Sequence, residues 1–261
     1  MSLLRLNGVT KRFGALVAVN ALSLSADAGK ITSLIGPNGA GKTTVINLIT
    51  GVMPLSSGLV ELDGVDISGW QAEARARNGI SRTYQTPQMI QGLTALENVE
   101  VGADMRGRMR FATAALMPWR IPAANRAAKE AAKAALHRVG LAEALWHREA
   151  AVLSYGDQRK VELARALTHD PKVILLDEPA AGLNPRETEE LGEYLRSIAD
   201  LGIGVLLVEH DMPLVMRISD EIKVICFGEK LAEGPPNYIR SHPEVIAAYL
   251  GSSETEEAIH G

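Results

Sequence analysis

The residues best suited to chemistry form one unbroken run, Gly36-Pro37-Asn38-Gly39-Ala40-Gly41-Lys42-Thr43, with a second threonine, Thr44, directly after it. The fixed positions follow G-x-x-x-x-G-K-[ST]. Glycines at this spacing let the backbone turn its N–H groups inward around phosphate oxygens. Lys42 is then placed to bridge the β- and γ-phosphates, and the Thr43 hydroxyl becomes a ligand for Mg²⁺. The bland alternative is a Gly-rich turn that opens a helix. The apolar run ITSLI before it, and VINLIT after it up to Gly51, supply the strand–loop–helix context that a phosphate cradle needs.

Two further sets of polar residues stand at the ends of apolar runs. Val173-Ile174-Leu175-Leu176 reads as a buried strand, and Asp177 and Glu178 emerge at its C-terminal end, where ligands bind in α/β sheets. Asp177 suits the shell of a Mg²⁺ ion, and Glu178 suits polarisation of an attacking water. On their own, two carboxylates after a strand are a solvated loop; beside a phosphate cradle they make a catalytic pair. Gly204-Val205-Leu206-Leu207-Val208 repeats the pattern and delivers Glu209 and His210. His210 is placed to contact a γ-phosphate and to orient Glu178 and the water. The other histidines, His137, His147, His169, His242 and His260, fall in helical or loop segments.

A second anion-facing feature lies more than a hundred residues on. In Leu153-Ser154-Tyr155-Gly156-Asp157-Gln158, Ser154 has the character of an N-cap ahead of the helical run VELARAL.

Positioning such groups requires an α/β scaffold. Strand-like runs alternate with helical ones, which predicts an α/β fold with a parallel core; the cradle motif makes the expected type a P-loop NTPase. The first 30 residues read as short strands separated by turns. We divide the chain into four segments. Residues 1–85 hold an antiparallel β subdomain and the first part of the P-loop core. Residues 86–170, rich in Ala, Leu and Arg, form an inserted helical subdomain carrying LSYGD. Residues 171–250 hold the second part of the core and a closing hairpin from EIKVICFG and EKLAEG. Residues 251–261 are a polar tail.

Composition narrows the function. With 27 Lys and Arg against 31 Asp and Glu, the net charge of −4 gives no overall basic field, so nucleic acid is not an expected partner. A single cysteine, Cys226, excludes an internal disulfide framework and a Cys-rich zinc site. The N-terminus does not read as a signal peptide, and no apolar stretch is long enough to span a bilayer. The expectation is a protein on the cytoplasmic side, with any membrane-spanning work done by another chain. An Arg-rich stretch, Arg106, Arg108, Arg110, Arg120 and Arg126, reads first as a solvated helical arm and second as a face toward a membrane-spanning partner or lipid headgroups.

Taken together, GPNGAGKTT, LSYGDQ, VILLDEP and the His of VEHD resemble, in order and spacing, the ATP-binding cassette (ABC) ATPases, over about residues 3–251. That resemblance implies two cassettes facing head to tail, with Ser154 and Gly156 of one subunit touching the γ-phosphate of ATP held by the other. It further implies that Phe13 stacks on adenine, and that Gln85 contacts Mg²⁺ or the water. Residues 181–184 would be the loop that crosses to the partner. Tyr155, Asp157 and Asn184 depart from the family's usual Gly, Gln and Asp. Finer stretches, RTYQTPQMIQGLTALENVEVG, LDEPAAGLNP and VIAAYLG among them, resemble the larger ATPase subunit of branched-chain amino acid importers. For such a system the resemblance implies two permeases, a second ATPase chain (or a second copy of this one) and an external binding protein; related systems carry other amino acids, amides, urea or lipid, and the motifs do not choose among these cargoes. Non-transport ABC ATPases usually add coiled coils, zinc modules or a second cassette. A small-molecule kinase gives LSYGDQ no purpose.

Overall fold

The computed structural model describes residues 2–104, 121–168 and 170–249. Strands β1 (Ser2–Phe13) and β2 (Leu16–Asp27) form a long antiparallel hairpin. The short strands expected from the early glycine and charges are therefore fused. Gly8 and Ala21 take positive φ, and the register shifts around Gly8, so turn-like residues are absorbed as bulges and do not break the strands.

The chain continues through β3 (Ile31–Ile35), α1 (Lys42–Thr50), β4 (Ser57–Leu62), β5 (Val65–Asp66), α2 (Ala72–Arg77) and β6 (Ile80–Arg82). Three longer helices follow, α3 (Ala95–Asp104), α4 (Ile121–Arg138) and α5 (Tyr155–Leu167). Then come β7 (Val173–Asp177), α6 (Pro185–Ala199), β8 (Gly204–Val208), α7 (Met212–Ile218), the β9 (Glu221–Cys226) and β10 (Glu229–Gly234) hairpin, and α8 (Pro236–Arg240).

One sheet is antiparallel, in the order β2-β1-β4-β5. The other runs β10-β9-β3-β8-β7-β6, parallel except for β10. Every residue of β3, β7 and β8 is buried, as expected of apolar parallel strands covered on both faces. Helix α1 lies between the sheets: Val45, Ile46 and Leu48 share one core with Leu4 and Val19 of the hairpin and with Leu206 of β8. Helices α3 to α5 enter between β6 and β7, and their Leu96, Leu136 and Val161 join a second core with Leu176 and Leu207.

The far end of α1 is closed by Arg75, which is 1% exposed. Its Nη1 donates to Leu48 O (2.6 Å) and Ile49 O (2.8 Å), its Nη2 to Ser68 O (2.8 Å) and its Nε to Trp70 O (3.1 Å). A cation at the carbonyl end of a helix complements the helix dipole. Of the arginine-rich stretch, Arg126 is exposed on α4, whereas Arg106, Arg108, Arg110 and Arg120 lie outside the described residues, as do His169, His260 and the tail 251–261.

Candidate active site

The cradle connects β3 to α1. Two of its glycines are required by close approach. A Cβ on Gly36 would collide with the carbonyl of Ile225, and one on Gly41 (φ +100°) would fall 2.6 Å from Ala18 O. No side chain caps α1, so its first N–H groups stay available to an anion. Lys42 is buried, and its ammonium donates to the cradle's own carbonyls, Gly36 O at 2.6 Å and Pro37 O at 3.0 Å. Burial lowers its pKa, against the opposing pull of Glu178 and Asp177. Asn38, Gly39, Ala40, Gly41, Thr43 and Thr44 line the same cavity, of about 450 Å³, which Glu178 also borders.

Strand order decides what meets the cradle. Asp177 ends β7, two strands from β3. Its carboxylate is held 3.2 Å from Arg82 Nη2, and Arg82 also donates to Asn47 Oδ1 on α1 at 2.5 Å. Burial raises the Asp177 pKa, and Arg82 opposes that rise. Glu178 stands in the left-handed region (φ +49°), with its N–H on Val208 O at 2.9 Å. Non-glycine residues in that region are uncommon and cluster at functional sites. Gln85 Nε2 donates to Glu178 Oε2 at 2.8 Å, and His210 Nδ1 stands 3.9 Å from the same oxygen. The structure thus gathers Gln85, Glu178 and His210 at one end of the cradle.

It does not gather Ser154 and Gly156 there. They line a separate cavity of about 260 Å³ between α5 and α6. Ser154 caps α5: its Oγ accepts from Asp157 N at 3.2 Å and donates to Asp157 Oδ2 at 2.7 Å. Tyr155 turns back into its own chain, its hydroxyl donating to Gln85 O at 3.3 Å. Asn184 forms a capping box on α6, accepting from Glu187 N at 3.0 Å while its own N–H donates to Glu187 Oε2 at 3.0 Å. Phe13 is 45% exposed at the end of β1, with Lys11 Nζ 5.0 Å from its ring centre. It is not among the residues lining the cradle's cavity, although Leu16, its partner across the hairpin, is.

Several organising residues escaped the sequence reading. Arg159, 2% exposed, donates to Tyr84 O (2.6 Å), to Gln85 O and to Glu162 Oε2 (3.0 Å). Glu162, whose pKa is raised by burial, accepts from Tyr84 N at 3.1 Å. Together they clamp the backbone that delivers Gln85. Their i, i+3 spacing on a helix was the available signal. Glu209, fully buried, accepts from the N–H groups of Ala180 (2.7 Å), His210 (3.0 Å) and Asp211 (3.3 Å), tying the His210 turn to the segment after Glu178. Burial raises its pKa against those three hydrogen bonds.

Among the described residues no cluster of three His, Cys, Asp or Glu side chains could cage a metal. The donors beside the cradle are oxygens, the Thr43 hydroxyl and the Asp177 carboxylate. That set fits Mg²⁺, which keeps waters and takes substrate phosphates in place of a protein cage.

Known proteins resemble this chain over nearly its whole length. A family model described as "ABC transporter" matches residues 19–181, and one described as "Branched-chain amino acid ATP-binding cassette transporter" matches residues 229–255. The chain is 43% identical over 255 residues to the high-affinity branched-chain amino acid transport ATP-binding protein BraF of Pseudomonas aeruginosa, covering 96% of this chain and 98% of that one. Against LivG of Escherichia coli the identity is likewise 43% over 255 residues, with the same coverage. A nucleotide-free ATP-binding cassette from an ABC transporter superposes with a TM-score of 0.83 at 32% identity, covering 95% of this chain and 99% of that one. A dimeric cassette bound to ADP and Pi superposes at 0.73, with 25% identity over 89% of this chain and 98% of that one.

Proposed function

The chain belongs to the ABC transporter ATP-binding family, and on that premise we propose that it is the ATP-hydrolysing subunit of an importer for branched-chain amino acids. The observation that carries the chemistry is the Gln85–Glu178 hydrogen bond of 2.8 Å beside the cradle, with His210 on the same carboxylate oxygen. The substrate class rests on the relatives named for branched-chain amino acids and on the matching C-terminal segment 229–255.

Lys42 exchanges its loop carbonyls for β- and γ-phosphate oxygens. The free N–H groups at the start of α1 take the rest of that charge. Gln85 and His210 hold the Glu178 carboxylate, which accepts a proton as the attacking water bonds to the γ-phosphorus and the bond from that phosphorus to the β–γ bridging oxygen breaks, releasing ADP and phosphate. Thr43, Asp177 and Gln85 would hold Mg²⁺, which when bound neutralises the phosphates and fixes their geometry. Ser154 and Gly156 lie outside their own cradle's cavity, so they suit a second cassette. ATP would then close the dimer, and loss of the γ-phosphate would loosen it. No described helix is long and apolar enough to cross a membrane. The subunit would act at the cytoplasmic face by docking on two permeases, beside a second ATPase chain and served by an external binding protein.

Affinity purification of the tagged chain from its native membranes in mild detergent tests this reading. Two permeases and a second cassette ATPase among the partners support the importer, and uptake of labelled leucine, isoleucine and valine by the reconstituted complex tests the cargo. Recovery of soluble or nucleic-acid partners alone would remove the transport assignment and leave the ATPase.

A further inference from the structure

The β9–β10 turn is two residues long, Phe227-Gly228, with Cys226 opposite Glu229 and both turn residues at positive φ (+49° and +79°). Turns of this kind favour Asn-Gly or Asp-Gly. The chain's β4–β5 turn does use Asp63-Gly64, at φ +54° and +76°. A phenylalanine in the left-handed region is strained, because its Cβ crowds the following carbonyl oxygen. Packing does not offset that strain, because Phe227 is 89% exposed. Neither turn chemistry nor the core calls for an aromatic here.

The turn is fastened to the cradle. Gly228 N donates to Ala40 O at 3.0 Å, and Gly228 O accepts from Asn20 N at 2.9 Å. A Cβ on Gly228 would fall 2.6 Å from Ala18 O. Phe227 accordingly lines the same cavity as Asn38 to Thr44, next to Leu16, Val17 and Ala18. The sheet order β9-β3-β8-β7 puts the cradle, after β3, between Phe227 after β9 and Glu178 after β7. A nucleotide whose γ-phosphate faces Glu178 must extend the other way, toward Phe227 and Leu16.

We propose that Phe227 is a wall of the nucleotide's base site, its ring stacking on the purine or covering the ribose edge. The inference rests on nucleotide binding at the cradle. Phe227 supplies an aromatic surface within the cavity, which Phe13, across the hairpin from Leu16, does not line. Stacking of this type is tolerant of base identity, because every base has a π-face. Phe227 should therefore strengthen ATP, ADP and GTP binding alike, and contribute nothing to a ligand without a base.

The test compares binding of ATP, ADP, GTP and inorganic tripolyphosphate to the full chain, as wild type, Phe227→Ala and Phe227→Trp. We expect Phe227→Ala to weaken all three nucleotides about tenfold, equivalent to about 1.4 kcal/mol, and to leave tripolyphosphate unchanged. Phe227→Trp should retain affinity and acquire an indole fluorescence change on adding ATP that tripolyphosphate does not produce. Unchanged nucleotide affinity in Phe227→Ala overturns the inference. So does an equal loss for tripolyphosphate, which would assign the turn to supporting the cradle. If the wild type binds tripolyphosphate and nucleotides equally, the base has no site at all. Failure of the wild type to bind any of them would refute the nucleotide reading itself.

Discussion

Removing Arg159 should separate the helical segment from the site it serves. The guanidinium is 2% exposed and its partner Glu162 is 3% exposed, so solvent screens neither. Arg159→Met deletes the ion pair of 3.0 Å and the donors to Tyr84 O and Gln85 O, and leaves Glu162 with one hydrogen bond, from Tyr84 N. Breaking a buried pair on one side costs about 3–5 kcal/mol, because a charge stays behind without its counterion. The surviving Tyr84 bond moderates this, and we expect about 3 kcal/mol. At about 2–4 °C per kcal/mol for a chain of this size, the melting temperature should fall by on the order of 10 °C. Adding Glu162→Gln removes the stranded charge and should recover part of the loss, with a coupling energy of about 1–3 kcal/mol. Differential scanning calorimetry of wild type, both single variants and the double variant reads the cycle. Single-turnover hydrolysis on the same set shows whether Gln85 loses its anchor. A melting point for Arg159→Met within about 2 °C of wild type, or strictly additive variants, would refute the clamp.

The other expectations concern the site and its supports. Glu178→Gln should bind ATP yet hydrolyse it at least about a hundredfold more slowly, accumulating as a closed dimer; phosphate release and light scattering check both, and near-normal turnover removes Glu178 as the base. Lys42→Ala should lose nucleotide binding by equilibrium dialysis, and an unchanged affinity would refute its phosphate role. Asp157→Asn keeps the Ser154 cap while removing a charge from the face offered to a partner's phosphate. ATP-driven dimerisation should tighten about two- to fivefold, more at low salt, and a weaker dimer would show that the carboxylate helps. Arg75→Met should destabilise the fold by roughly 3 kcal/mol, since two carbonyls at the end of α1 and those of Ser68 and Trp70 lose their donor, while ATP affinity at the opposite end of α1 stays within about twofold.

Local features were the most legible. ITSLI, VILLD and GVLLV could be read as buried parallel strands because their apolar runs need no knowledge of neighbours. The first hairpin was misjudged because Gly8 and the register shifts around it bend a strand without ending it, and a bulge looks like a turn in one dimension. Asn184 was read as a departure from a family pattern, yet Asn184-Pro185-Arg186-Glu187 spells a helix start with a glutamate three residues after the cap, and that is how the side chains are used. Arg159, Arg75 and Glu209 were invisible for another reason. Beyond the i, i+3 pair of Arg159 with Glu162 and the neighbouring amides on Glu209, their partners are backbone atoms 5 to 75 residues away, and only tertiary structure turns a solvent-loving side chain into a fastener. Phe227 belongs with them: in sequence it closes an apolar run, and only the backbone shows it turned outward beside the cradle.

The ammonium of Lys42 is buried and held by Gly36 O and Pro37 O, and burial disfavours its charge. The desolvation penalty of that charge is thus incurred at folding, once in the life of the molecule, and not on every catalytic cycle. Binding then exchanges one set of oxygens for another around a cation that does not have to shed solvent or search rotamers. The arrangement favours fast, repeatable loading at the expense of a less stable resting protein, so an apolar residue at position 42 would trade function for thermal endurance.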